Sequence, residues 1–418
     1  MSQVSSKTIS TRPLVSRILL SLAVWGPGLL VMLADTDAGN VVTAAQSGAQ
    51  WGYRLLPLLL LLIPLLYMVQ ELTVRLGIYT GQGHGELIRE KFGTGWSWLA
   101  AVGLTITAVG TMVTEFTGVA GVGEMYGLSR GLTLPIAAAM LLGVVMTGSY
   151  RRMERMAIFI GLFELAFFFV AWVAHPDPSS MVRHEGDLPI GNREFLFLAA
   201  ALIGAAFNPW MIFYQQSAVA DRKLRPEHHR AACWDTAFGA VLTQLLTAAV
   251  LVAAATTLYA KGSQAQLTAV GDISHALTPY LGGSAGRAIF GVGVLGAAMV
   301  AAIVSSLALA WGIGEVAGYR RSLELQPLRA PWFYGVYALC VAGSAALVGF
   351  APSLVWLNVG TQVVNAFMLP LVVGFLVALA TRTLPEQQRL RGGYLWLLIA
   401  LSAITCALGL YGGLSGLL

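Results

Sequence analysis

Two aspartates and an asparagine, Asp35, Asp37 and Asn40, fall within the stretch Ala34-Asp35-Thr36-Asp37-Ala38-Gly39-Asn40, shortly after Gly26-Pro27-Gly28 and inside an otherwise almost wholly apolar segment. An ionisable group at bilayer depth costs roughly 2.5–3.5 kcal/mol on insertion scales unless it faces a cavity. Irregular backbone there must be covered by protein or water. The stretch therefore marks a site for a polar or charged cargo. A second interruption is Gly204-Ala205-Ala206-Phe207-Asn208-Pro209-Trp210, followed by Tyr214-Gln215-Gln216-Ser217. Proline lacks a backbone donor and clashes with the carbonyl four residues earlier, which frees the carbonyls around Ala205 from the helical ladder.

The elements that must hold these residues are membrane helices. The 418-residue chain is 57% hydrophobic and only 11% charged, with a mean hydropathy of +0.72, whereas soluble domains are about 25% charged. Apolar runs long enough to cross a bilayer recur about eleven times, near 18–50 (broken at 35–40), 54–76, 95–124, 131–149, 153–174, 195–220, 232–259, 285–318, 331–350, 353–381 and 392–416. No cleavable signal peptide is expected, because residues 1–17 are polar and basic and no small-residue cleavage site follows.

Lysine and arginine orient the zigzag. Taken in alternate flanks they divide 19 to 6 in favour of the side holding the N-terminus, which by the positive-inside rule is cytoplasmic. The expected location is a multi-pass protein of the plasma membrane with residues 1–17 as a cytoplasmic tail. The basic pI, near 9.2, follows from this topology, and no basic patch with interleaved aromatics points to nucleic acid. Cys233, Cys340 and Cys406 are dispersed in or beside apolar spans and suit packing, not a disulfide framework or a zinc site. All six histidines (84, 175, 184, 228, 229 and 275) fall in predicted loops. No imidazole is then expected at mid-membrane, and the His228-His229 pair is expected to be solvated.

Asn40 and Asn208 are 168 residues apart. Interruptions at corresponding positions of two five-span halves are a pointer to an inverted-repeat secondary transporter with its site at the midplane. The halves would be 18–174 and 195–381, with 392–416 an additional span. In detail, Gly26-Pro27-Gly28, Asp37-Ala38-Gly39-Asn40, Gln46-Ser47-Gly48-Ala49 with Gly52-Tyr53, and Gln70 through Arg75-Leu76-Gly77 with Thr80-Gly81 resemble the first two spans of the NRAMP divalent-metal transporters, whose hallmark is Asp-Pro-Gly-Asn. Thr114-Glu115-Phe116, Thr361-Gln362 and Leu369-Pro370 extend the match. The resemblance implies an all-α, LeuT-like fold with broken helices one and six.

The departures are as informative. NRAMP transporters carry Met-Pro-His in span six, where this chain has Asn208, Pro209 and Trp210. A thioether favours transition metals over hard cations, and the amide oxygen of Asn208 removes that discrimination. Met112 replaces an acidic residue three positions before the span-three glutamate, so the usual proton route looks dismantled. With Ala38 in place of the first motif's proline, these changes resemble the NRAMP-related magnesium transporter (NRMT) branch. Mg2+ prefers oxygen ligands and keeps several waters. The resemblance implies Asp37, Asn40, the Ala205 carbonyl and Asn208 as ligands, with Gln362 hydrogen-bonding bound water. Asp35, Gly39, Glu115 and Trp210 would line the pathway or stand outside the ligand shell. The implied cargo is a partly hydrated Mg2+ or Mn2+, with no cofactor and with the lipid bilayer as surroundings.

Asp35 has no counterpart in the NRAMP pattern. On an unbroken helix it would point about 200° from Asp37, either attracting cations through a water shell or serving as a vestibule or interfacial carboxylate. Glu115 is expected to line the aqueous pathway. Glu71, Glu164, Asp235 and Glu315 are expected to make helix-end or inter-helix contacts. An intramembrane enzyme would need a nucleophile with a base or a metal cluster, which the membrane-depth residues do not offer, and a channel would show filter-like repeats. The remaining alternatives are a proton-coupled Mn2+/Fe2+ importer and, on the same fold, a sodium-coupled carrier of organic solutes. A fixed anion at Asp37 would repel an anionic solute.

Overall fold

The structure, a computed structural model, describes residues 26–176, 188–259, 267, 273, 283–350 and 355–417, except the side chains of 355–359 and 416–417. The expected tail over 1–17, the opening of the first span, and Arg183, His184, Lys261 and His275 lie outside the described residues. Within these residues the regular elements are all helices. Nine stretches are long and apolar enough to cross a membrane. The broken first span and the shorter helix Arg130–Val145 make up the eleven expected.

Span one is α1 (Pro27–Asp35) and α2 (Ala38–Trp51). Span two, α3 (Leu56–Thr80), leads through the short α4 (His84–Phe92) to span three, α5 (Thr94–Met125), and span four, α6 (Arg130–Val145). Span five is α7 (Tyr150–Gly161), a 3-10 turn (Leu162–Leu165) and α8 (Ala166–Val173). Span six is α9 (Arg193–Ala206) and α10 (Pro209–Asp221). Spans seven to eleven are α11 (His229–Thr257), α12 (Ser284–Ala317), α13 (Pro331–Phe350), α14 (Val355–Arg382) and α15 (Gly392–Leu417).

Both breaks are built from local chemistry. Proline at the first position starts α1 and α10, where its missing N–H costs no hydrogen bond. Asp37 takes an extended backbone and its Oδ1 accepts from the Asn40 N–H at 2.6 Å, which caps α2. A carboxylate in this position satisfies one of the donors that a helix start leaves open. At the other break Asn208 occupies the equivalent N-cap position without a side-chain capping bond, so its amide is available to other partners. Small residues let the spans approach closely: a Cβ at Gly204 would strike the backbone carbonyl of Gln362, bringing spans six and ten into backbone contact.

Asp235 and Glu315 are inter-helix contacts, as expected. Asp235 accepts from the N–H groups of Gly26 (3.1 Å), Gly28 (2.8 Å) and Leu29 (3.1 Å), capping α1. Glu315 accepts from Gly85 N–H at 2.8 Å and from the Ser217 hydroxyl at 2.6 Å. Glu71 is held by the guanidinium of Arg75 on its own helix at 2.7 and 2.8 Å.

The histidine expectation needs correcting at two positions. His84 is not in a loop: it opens α4, is fully buried, and its Nδ1 sits 2.9 Å from the side-chain oxygen of Gln216. His229 opens α11, 3.4 Å from Glu71, and is only partly solvated. The turn between spans two and three packs under span six, which a hydropathy profile does not register. Burial pushes the His84 imidazole down to about 4. The unfolded chain binds that proton below about 6.5. The folded chain therefore loses stability as the pH falls from about 6.5 towards 4, by up to about 3 kcal/mol, and is unaffected above that window. Thermal denaturation in detergent between pH 7.5 and 4.5 checks this. His84→Gln flattens the acid fall in Tm relative to wild type, and parallel slopes for the two proteins would contradict it.

Candidate ion site at the helix breaks

The two breaks and span ten meet in a closed ring of hydrogen bonds. Asn208 Nδ2 donates to Asp35 Oδ1 at 3.3 Å, and Asn365 Nδ2 donates to Asn208 Oδ1 at 2.5 Å and to Gln362 Oε1 at 3.0 Å. Gln362 Nε2 donates to Asp37 Oδ1 at 3.3 Å, the same oxygen that caps Asn40 N–H. Asn40 Nδ2 closes the circuit on the Asp35 carbonyl at 3.0 Å. All six side chains are buried, none more than 1% exposed.

Each ring residue thus has its position dictated by a break or by its neighbour across one. Gly39 is needed because a Cβ there would collide with the Gln362 amide. Asp35 Oδ2, Asp37 Oδ2, Asn40 Oδ1 and Asn365 Oδ1 are buried and have no hydrogen-bond partner. An unpaired buried polar atom is costly, and these four are all hard oxygen atoms of the kind that suits Mg2+ or Mn2+.

The structure brings Asp35, Asp37, Asn40, Asn208 and Gln362 together, with the Ala205 carbonyl accepting from Asn208 Nδ2 at 2.9 Å. Two expectations change. Asp35 is neither a vestibule nor an interfacial carboxylate: the helix ends at it, and the turn at Thr36 swings it into the ring with Asn208. Glu115 does not line open water, since its Oε2 accepts from Ala38 N–H at 3.1 Å and its Oε1 from Thr114 at 3.2 Å. A half-helix N-terminus exposes N–H groups and a positive dipole end, which draw a carboxylate. Span ten lies against the break, so Gln362 donates to the Asp37 carboxylate.

Trp210 is fully buried and turns towards span three, its indole N–H donating to Thr111 at 3.1 Å beside buried Met112. The sequence reading missed Asn365, and also Thr243 and Thr247 of span seven, which bond Thr36 (2.8 Å) and Asn40 (3.1 Å). The signal was present as spacing: Asn365 lies one helical turn after Gln362, and Thr236, Thr243 and Thr247 recur on one helical face of an apolar span. Elsewhere, the Glu71 carboxylate, a His229 ring nitrogen and the Cys233 sulfur lie within 4.8 Å of one another, a grouping that the sequence reading also missed. Arg75 already balances the Glu71 charge there.

The architecture has counterparts among solved structures. A manganese transporter of Eremococcus coleocola superposes with a TM-score of 0.75 at 18% identity, over 97% of this chain and 88% of that one. MHP1, a nucleobase-cation-symport-1 family transporter, superposes at 0.59 with 16% identity, over 94% of this chain and 90% of that one. These likenesses show the LeuT-like fold. In sequence, the divalent metal cation transporter MntH of Yersinia enterocolitica is 28% identical over 324 residues, 73% of this chain and 75% of that protein. MntH 1 of Pseudomonas aeruginosa is 29% identical over 301 residues, 68% of this chain and 67% of that protein. The model of the family described as natural resistance-associated macrophage protein-like matches residues 28–415, and with that span of agreement the chain belongs to the Nramp family.

Proposed function

We propose that this protein carries divalent metal ions across the cell membrane by alternating access, with Mg2+ as the main cargo, Mn2+ also accepted, and no coupled movement of protons. The N-terminus would face the cytoplasm, in keeping with the 19 to 6 division of basic residues, and residues 18–174 and 195–381 would form the two inverted halves. The observation that carries the reading is the composition of the ring, which consists of carboxylates and carboxamides with no sulfur or imidazole among the described residues. Asp37, Asn40, Asn208 and the Ala205 carbonyl would face the ion, with Gln362 and Asn365 exchanging their present bonds for bonds to its water. Gly39 would let Gln362 approach. Asp35, Glu115 and Trp210 would act from outside the ligand shell. A hard, strongly hydrated ion suits such a lining.

The second reading, a proton-coupled Mn2+ or Fe2+ importer, is favoured by the metal transporters named among the relatives. It is disfavoured by Asn208, Trp210 and Met112, which replace a thioether and two titratable groups. The two buried aspartates of the first break argue against a carrier of organic anions. Proteoliposomes with parallel Mg2+, Mn2+ and Ca2+ dyes and a lumenal pH dye decide between the first two. Mg2+ and Mn2+ uptake without lumenal acidification is expected. Acidification that scales with metal entry and needs no other ion would overturn the uncoupled reading and direct attention to Glu115.

A further inference from the structure

Glu164, expected to make a helix-end or inter-helix contact, lies against Thr36 of the first break. It sits in the 3-10 turn Leu162–Leu165 that interrupts span five, fully buried, and neither carboxylate oxygen has a hydrogen-bond partner. A stretch of 3-10 helix inside a long helix often marks a functional position. Its side chain lies beside the Thr36 hydroxyl, which also pairs with Thr243 at 2.8 Å, and within electrostatic range of Asp35 and Asp37. The segment cannot easily turn away. A Cβ on Gly296 of span eight would lie 2.8 Å from the Ile160 carbonyl and from Phe163 Cβ, and one on Gly161 would lie 2.9 Å from Leu33.

Asp35, Asp37, Glu115 and Glu164 therefore make four buried carboxylates around one break. Among the described residues, no lysine, arginine or histidine is among the groups acting on any of them. A single divalent ion at Asp37 and Asn40 leaves the oxygen atoms on the far side of the break unused. On the span-five side remain three carboxylate oxygens without partners, Asp35 Oδ2 and both of Glu164. The carbonyl end of α1 also points into the break, and a helix C-terminus is the negative end of its dipole. Oxygen donors, carboxylates among them, match a hard divalent cation.

We propose that Glu164, Asp35 and the backbone end of α1 at Thr36 form a second cation subsite, which takes a hard divalent ion next to the one held by Asp37 and Asn40. This rests on the proposed reading of the break as the ion site.

Mn2+ is the probe, because it is paramagnetic and oxygen-preferring. In detergent, the wild-type protein titrated with MnCl2 is expected to bind two ions by calorimetry and to show an EPR signal broadened by a close Mn2+ pair. Glu164→Gln, which keeps the shape, is expected to bind one ion and to give the sharp six-line signal of isolated Mn2+. Glu164→Asp guards against a folding defect: it retains two ions, with the second about tenfold weaker. A wild-type protein that binds one Mn2+, lost in Asp37→Ala and unaffected by Glu164→Gln, overturns the subsite and leaves the first site standing. One Mn2+ that persists in Asp37→Ala and disappears when Glu164→Gln is added supports the subsite and removes the first site instead.

Discussion

Asp37→Ala is expected to abolish uptake of Mg2+ and Mn2+ in proteoliposomes, to the level of empty vesicles. Asp37 Oδ1 is the point at which the α2 cap and the span-ten amide meet, and Oδ2 is free of partners. Removing the side chain deletes the charge and the anchor together. The cap alone is worth about 1 kcal/mol, so the protein still folds, and Asp37→Asn separates the two roles. Asparagine is as good an N-cap as aspartate, so Asp37→Asn retains a near-wild-type Tm while still failing to transport. Asn40→Ala weakens uptake strongly, since it loses the bonds to the Asp35 carbonyl and Thr247. Mg2+ uptake at the wild-type rate by Asp37→Ala would remove the site assignment altogether.

Asn208→Met is expected to shift selectivity away from Mg2+. The Asn208 amide contacts three partners, Asp35, the Ala205 carbonyl and Asn365, and a thioether can replace none of its donor bonds. Sulfur gains little with Mg2+ and more with Mn2+ or Cd2+. Mg2+ uptake is expected to fall roughly tenfold relative to those ions, about 1.4 kcal/mol of discrimination. A complete switch is not expected, because Trp210 remains bonded to Thr111 and the rest of the ring stays hard. Parallel uptake and calorimetry check the ratio of Mg2+ to Mn2+ and Cd2+. An unchanged ratio means that Asn208 does not select the ion.

Much of the site was legible because polar residues in lipid-length apolar runs are costly and hence sparse. Asp35, Asp37, Asn40 and Asn208 stand out for that reason alone, and Gly and Pro beside them mark the breaks. Asn365, Thr243 and Thr247 were not legible in the same way. They lie inside unbroken helices, where a single amide or hydroxyl can bond its own backbone at little cost, so nothing local says that it faces a partner. Glu115 was visible as an acid but not as a cap, because the N–H group it serves belongs to Ala38, 77 residues earlier.

By itself the sequence determined the number of spans, the two interruptions and the hard donor set at them, since hydropathy, helix breaking and ligand chemistry are properties of residue types and their spacing. Only the tertiary structure decided which donors meet. The ring joins Asn208 to Asp35 across 173 positions and Gln362 to Asp37 across 325. That juxtaposition depends on which helix faces turn inward and how closely Gly204 lets spans six and ten approach. The same packing decided that Glu164, one acid among phenylalanines in a span mostly exposed to its surroundings, lies beside Thr36 at the first break.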